Sequence, residues 1–178
     1  PLYIIKKEDL LDASNLQNYI LKHNVNIMWL TAPLFNQLSE INPHMFSGVK
    51  YLLTGGDALS PKHINMVRKS NPNLTVINGY GPTENTTFSC CFTIDKNYTR
   101  SIPIGKPISN STAYVVSNTG LLCPIGVLGE LWVGGDGVAK GYLNNEDLTK
   151  EKFIQNPFRE GIIYKTGDLV KWLPDGNI

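Results

Sequence analysis

Leu74-Thr75-Val76-Ile77-Asn78-Gly79-Tyr80-Gly81-Pro82-Thr83-Glu84 opens with apolar and β-branched residues and then turns polar and glycine-marked. The first four residues read as a buried strand. Gly79 and Gly81 permit backbone conformations that other residues resist, so the part from Asn78 onward is expected as a loop at the strand's carboxyl end. Open α/β sheets bind their ligands at such ends. Within seven residues this loop carries an amide, an aromatic ring, a hydroxyl and a carboxylate, the chemistry that a nucleotide requires.

Working outward toward the start of the chain, short apolar runs alternate with helical patterns, the signature of βαβ units and a parallel sheet. Leu2 to Lys6 is expected as one strand. Leu16, Tyr19, Ile20 and His23 follow Asp12 and Ser14 at helical spacing, which predicts a helix over 12–23 capped by either of those two. Asn26 to Leu30 is the next strand. Pro33 begins a helix through Leu34, Leu38 and Ile41 that ends near Asn42-Pro43, and Val49 to Thr54 forms the following strand. Ser60-Pro61 reads as a cap and first-turn proline opening a helix to about Ser70.

After about residue 100 the texture changes to strands punctuated by glycine and proline. Ala113 to Ser117, Leu128 to Gly134, Ile162 to Thr166 and Val170 to Leu173 are the strand candidates, with turns at Asn118-Thr119-Gly120, Pro124-Ile125-Gly126 and Pro174-Asp175-Gly176. Only Leu148 to Phe153 reads as helix there. The expected fold class is therefore α/β: a parallel-sheet part over residues 1–100, then a small β-rich, distorted barrel-like part over 101–178.

With 178 residues and 42% hydrophobic content, the chain can bury a substantial core. Sixteen basic against fifteen acidic side chains give a net charge of +1 without a Lys/Arg stripe, which argues against a nucleic-acid partner. Cys90, Cys91 and Cys123 lack metal-ligand spacing, and the adjacent pair reads as buried or strand-alternating rather than disulfide-bonded, fitting a reducing cytoplasm. No apolar run has membrane-spanning length and no signal-peptide pattern opens the chain. The chain starts without Met, in what reads as a strand already under way, and is expected to be an excised piece.

Four glycine-marked segments occur in order: Leu52-Leu53-Thr54-Gly55-Gly56-Asp57-Ala58, the Asn78 to Glu84 stretch, Gly129 through Gly134-Gly135-Asp136-Gly137 to Gly141-Tyr142, and Tyr164-Lys165-Thr166-Gly167-Asp168-Leu169. Singly, each is ordinary turn chemistry. Together, with the linker Ile102-Pro103-Ile104-Gly105-Lys106-Pro107, they resemble the core motifs of adenylate-forming enzymes. They resemble especially the amino-acid-activating adenylation domains of nonribosomal peptide synthetases, and the resemblance spans essentially the whole chain.

The resemblance implies roles that the chemistry of each residue permits. Tyr80 offers a ring for adenine to stack on, and the Asn78 amide carries both a donor and an acceptor for its edge. Gly55 and Gly56 let a purine lie against backbone, and Gly79 joins the nucleotide-binding set. Thr83 has a hydroxyl for a phosphate oxygen, and Glu84 is a hard anionic ligand for Mg2+ bridging the ATP phosphates. Asp168 can accept both ribose hydroxyls. Taken without the resemblance, Tyr80 serves equally as a core tyrosine, Glu84 as a solvated or capping acid and Asp168 as an Asx turn residue. Asp136, Lys140 and Tyr142 read as structural. Thr83 and Glu84 are the catalytic candidates, because phosphoryl chemistry needs positioning and charge neutralisation more than covalent help. No Ser-His-Asp or Cys-His set is evident, since His23, His44 and His63 are scattered.

The implied reaction joins an amino-acid carboxylate to ATP as an aminoacyl-adenylate, which then loads the phosphopantetheine of a peptidyl carrier protein, beside condensation domains, in antibiotic biosynthesis. Trp29, Leu53, Gly55, Gly79, Thr87 and Phe88 match the family's side-chain pocket, and the set resembles the valine type. It contains no ionisable group, so a charged substrate would suffer a large desolvation penalty. The family's upstream phosphate loop and its C-terminal lysine domain are absent, so the isolated chain is expected to be inactive. An acyl- or aryl-CoA ligase of the same superfamily and a noncatalytic ATP-binding fragment are the alternatives.

Overall fold

The computed structural model describes residues 1–178 and divides into two units, Pro1–Asn78 with Thr93–Ile102, and Gly79–Phe92 with Pro103–Ile178. In the first, a short helix α1 (Lys7–Leu11) precedes α2 (Ala13–His23). Asp12 is the cap of α2: its Oδ1 accepts from the N–H groups of Ser14 and Asn15 at 2.9 and 2.8 Å. Ala13, Leu16 and Ile20 form the buried stripe of α2, and the chain leaves through Asn24 in a left-handed conformation.

Strand β1 (Ile27–Thr31) leads directly into α3 (Ala32–Ile41), where Pro33 sits in the first turn. α3 buries Ala32, Phe35 and Leu38, and the Phe35 ring stacks at 5.9 Å on Phe46 of the 3-10 turn Pro43–Phe46. Burying one such ring contributes about 1.5–3 kcal/mol. β2 (Tyr51–Gly55) runs parallel to β1 with Trp29 opposite Leu53 and Thr31 opposite Gly55. α4 (Pro61–Ser70) follows, then β3 (Thr75–Tyr80), and the strand order is β1-β2-β3. Because strand side chains alternate, Leu30, Leu52 and Thr54 enter the core, while Trp29, Leu53 and Gly55 share the other face.

Three expectations change here. Leu2 to Lys6 is not a strand: no neighbour pairs with it, and Leu2 and Ile4 are 91% and 87% exposed. Ser60 caps α4 in position only, since its Oγ bonds Nδ1 of His63 at 2.7 Å and no backbone N–H. Asn78, Gly79 and Tyr80 belong to β3 itself, and the loop starts at Gly81.

In the second unit β4 (Cys90–Thr93) pairs antiparallel with β5 (Lys106–Pro107). A four-stranded antiparallel sheet follows, in the order β6 (Ser111–Val116), β7 (Gly129–Gly135), β9 (Ile162–Val170) and β8 (Phe153–Gln155). The helix α5 (Glu146–Lys152) lies between β7 and β8 in the chain and is capped by Asn145, whose Oδ1 accepts from the N–H of Leu148. Cys90, Leu131, Val133, Tyr164 and Ile178 make the core, bordered by Tyr80, Tyr142 and Phe153.

The expected strand Ile162 to Thr166 continues as β9 to Val170, and of the expected strand Val170 to Leu173 only Val170 is strand, with residues 171–173 outside it. Glu130 stands opposite Leu169 and Trp132 opposite Lys165, so the Thr166-Gly167-Asp168 stretch bulges against Leu131. Gly167 takes φ +82 there and donates its N–H to Glu130 Oε1 at 2.9 Å, while Thr166 Oγ1 donates to the Leu131 carbonyl at 2.7 Å.

Candidate functional site

The bulge in β9 aims Asp168 outward. Its Oδ2 accepts a short hydrogen bond from the Tyr80 hydroxyl, and its N–H donates to Thr166 Oγ1 at 3.0 Å. Two motifs 88 residues apart thus meet through their candidate side chains. Burial, then the Asp168 carboxylate, raises the Tyr80 pKa above the ordinary phenol range, so Tyr80 is a neutral donor. The ring is half-buried against the cluster around Cys90, and Asp168 is exposed.

Glu84 lies in a 3-10 turn, Thr83–Asn85, with Thr83 exposed beside it. Its Oε1 accepts from the Tyr142 hydroxyl at 2.6 Å, and Tyr142 Oη lies 3.0 Å from Tyr164 Oη. Burial pushes the Glu84 carboxyl up, but the bonds from Tyr142, from its own backbone and from Tyr164 outweigh it and leave the pKa below the ordinary value. Glu84 is consequently a carboxylate. Burial raises Tyr142 and Tyr164 as well, with Glu84 adding to the rise in both and Tyr142 adding to it in Tyr164.

Beyond Glu84 the backbone is strained. Thr86 and Thr87 have φ +43 and +63, a region β-branched residues rarely occupy, and the Phe88 N–H closes back on the Thr86 carbonyl at 2.8 Å. This turn directs the Phe88 ring onto Gly79, where an added Cβ would come within 2.5 Å of the ring. Gly79 and Phe88, two of the pocket candidates, are therefore in contact. Thr87 itself is exposed.

In the first unit, Trp29 and Leu53 line a cavity of about 900 Å3 together with Tyr3, Ile5, Leu16 and Ile20. Trp29 remains 45% exposed on the edge strand β1. Gly55 is buried at the end of β2, and Gly56 has φ +79 with open space where a side chain would stand. Asn78 is buried on β3, on the same face as Tyr80 by strand alternation.

Tyr142 is the residue whose part sequence reasoning missed. Its glycine-rich surroundings suggested tight turns, and only its hydroxyl-bearing ring hinted at more. No group of three or more His, Cys, Asp or Glu side chains converges on a metal position, all three cysteines are free, and no helix is long and apolar enough to cross a membrane.

Comparison with known proteins agrees with this architecture. The chain is 60% identical to gramicidin S synthase 2 of Brevibacillus brevis over 178 residues, 99% of this chain and 4% of that protein. It is 57% identical to tyrocidine synthase 3 of Brevibacillus parabrevis, again over 99% of this chain and 3% of that one. The chain therefore spans only a few per cent of the length of these two relatives. Among solved structures, PA1221, a nonribosomal peptide synthetase protein containing adenylation and PCP domains, superposes with a TM-score of 0.89 at 36% identity, covering 94% of this chain and 35% of that one. The N-terminal subdomain of Klebsiella oxytoca NpsA, in complex with 3-hydroxybenzoyl-AMSN, gives 0.85 at 26% identity over 93% and 43% of the two chains. A family model described as AMP-binding enzyme matches residues 1–143, and the chain belongs to that family.

Proposed function

We propose that this chain is a central segment of an amino-acid-activating adenylation domain, in which Tyr80, Thr83, Glu84 and Asp168 act on ATP. The observation that carries the reading is the Tyr80–Asp168 hydrogen bond, because the two motifs assigned to adenine and ribose meet. Asp168 keeps Oδ1 for a sugar hydroxyl, and the neutral Tyr80 offers a ring edge and a hydroxyl beside it. Gly55, Gly56, Asn78 and Gly79 keep the nucleotide roles that the family likeness gives them. The relatives support the reading by name, being peptide synthases.

In this reading an oxygen of the amino-acid carboxylate attacks the α-phosphorus of ATP and pyrophosphate leaves, which yields the aminoacyl-adenylate. The phosphopantetheine thiol of a peptidyl carrier protein then attacks the aminoacyl carbonyl, forming a thioester as the acyl–phosphate bond breaks and AMP leaves. Thr83, exposed at the turn, donates to a phosphate oxygen. Glu84 fits Mg2+: it is a single ionised hard-oxygen ligand, and magnesium usually takes only one or two protein carboxylates and keeps waters. The ion would supply charge neutralisation at the phosphates. For substrate we propose valine, held by Trp29, Leu53, Gly55, Gly79, Thr87 and Phe88. One methylene is worth about 1–3 kcal/mol, so isoleucine and leucine follow as weaker substrates.

Amino-acid-dependent exchange of pyrophosphate into ATP, measured in the protein carrying this chain, tests both levels. Valine is expected to drive exchange and Glu84→Gln to depress it. Exchange driven by aryl or fatty acids alone would transfer the chain to the acyl-CoA ligase reading, and ATP binding without exchange under any acid would leave a noncatalytic nucleotide module.

A further inference from the structure

We infer that Tyr142 is the positioning residue that presents the Glu84 carboxylate to a divalent cation, an inference resting on the reading of Glu84 above. The stretch from Gly137 to Tyr142 grips the Glu84 turn at three points. The Ala139 N–H donates to the Glu84 carbonyl at 2.8 Å, Thr86 Oγ1 donates to the Gly137 carbonyl at 2.7 Å, and the Tyr142 hydroxyl donates to Glu84 Oε1 at 2.6 Å.

Tyr142 is itself held from behind. Its N–H donates to Thr149 Oγ1 at 2.9 Å, and that hydroxyl donates to the Asn145 carbonyl at 2.8 Å, which anchors it to α5. The Thr149 methyl fills the space beside Gly141, where a Cβ would lie 2.4 Å away at φ +139, so only glycine lets the chain pass so close. The Tyr142 ring meets Phe153 edge-on at 5.4 Å, and Tyr164 reaches its hydroxyl from β9.

A free glutamate side chain samples several rotamers, and fixing them costs up to about 2 kcal/mol. Here that cost is met by the fold before any cation arrives. The phenol holds Oε1 with Tyr164 close behind it, and no lysine, arginine or histidine cancels the charge. Partners that hydrogen-bond a ligating carboxylate commonly set metal affinity by ten- to hundred-fold.

The test compares the parent, Tyr142→Phe and Glu84→Gln. Tyr142→Phe keeps the ring against Phe153 and deletes only the donor. The expected result is a several-fold rise in the magnesium concentration giving half-maximal pyrophosphate exchange, with the ATP KM at saturating magnesium unchanged, and a larger rise for Glu84→Gln. A second readout needs no turnover: calorimetric titration with Mg2+ should show several-fold weaker binding in Tyr142→Phe, because the hydroxyl that holds Oε1 is gone. Thr149→Val, which spares the phenol and removes its support, should move both readouts in the same direction by less. Magnesium dependence and titration equal to the parent's in Tyr142→Phe, with Glu84→Gln impaired, overturn the inference and leave the role of Glu84 standing. Normal magnesium dependence in Glu84→Gln removes that role and the inference with it.

Discussion

Tyr80 donates its hydroxyl proton to Oδ2 of Asp168, joining the end of β3 to the bulge of β9. The bond fixes the direction of an otherwise exposed carboxylate. A ribose hydroxyl donating to this carboxylate would contribute about 1.5–3 kcal/mol to ATP binding, so replacing the acceptor has a measurable cost there. Asp168→Asn is expected to raise the ATP KM roughly ten- to hundred-fold while the thermal midpoint of unfolding stays near the parent's, since the side chain is exposed. Tyr80→Phe should raise the ATP KM less, because Asp168 remains. Unchanged ATP saturation in Asp168→Asn would remove the ribose role.

The phenols near this site make the fold sensitive to alkali. Tyr80, Tyr142 and Tyr164 all have pKa values raised above the ordinary phenol range, chiefly by burial, and burial pushes the Cys90 thiol up to about 12. Such groups stabilise the fold fully below their unfolded pKa. Above it the unfolded chain loses protons that the folded chain keeps, so stability declines as pH rises past about 10 for the phenols and about 8.5 for the thiol. Chemical denaturation followed across that range should show the decline, and Tyr80→Phe should flatten it. Phenolate absorbance from Tyr80 and Tyr164 should appear at higher pH than that of an exposed tyrosine while the chain stays folded. Ionisation of both at the pH of an exposed tyrosine in a still-folded chain would refute the assigned burial.

Much of this architecture was legible as period and punctuation. The stripe of Leu16 and Ile20, Pro33 and Pro61 at helix starts, and the turn glycines Gly120 and Gly176 act through local sterics, which a sequence displays directly. What stayed hidden depends on partners. Leu2 to Lys6 has strand composition but no strand to pair with, and β9 runs through Gly167 because Glu130 and the Leu131 carbonyl satisfy the bulge. Tyr142 reaches Glu84 across 58 residues, a contact that no periodicity encodes. The nucleotide candidates were visible as chemistry, and only the coordinates bring Tyr80 to Asp168 and set Tyr142 behind Glu84.

Two glycines with similar backbone angles should behave very differently on substitution. Gly120 has φ +80 with nothing near a would-be Cβ, so Gly120→Ala adds only left-handed strain, about 1–2 kcal/mol. Gly105 has φ +91, and its Cβ would stand 1.9 Å from the Cys91 carbonyl oxygen, inside the β4–β5 pairing. Neither backbone can retreat without breaking that ladder. Urea unfolding should place Gly120→Ala slightly below the parent, and Gly105→Ala beyond about 4 kcal/mol of destabilisation or unfolded. Equal losses would mean that crowding at Gly105 relaxes freely.

Gly79 tests the amino-acid pocket. Its φ is not left-handed, so a side chain brings no backbone strain there, only contact with the Phe88 ring at 2.5 and 2.9 Å. The ring must move, and its freedom is limited because Phe88 N–H is tied to the Thr86 carbonyl across the strained Thr87. In the pocket proposed above, Gly79→Ala would drive the ring and the new methyl into the space for the substrate side chain. One methylene of lost space is worth about 1–3 kcal/mol, so exchange with valine relative to alanine should fall roughly ten-fold or more. Phe88→Ala in the same chain should restore acceptance of larger side chains by removing the displaced ring. A substrate profile unchanged by Gly79→Ala would place the side-chain pocket elsewhere, while leaving Tyr80, Glu84 and Asp168 untouched, since strand alternation turns Gly79 away from the face that carries Asn78 and Tyr80.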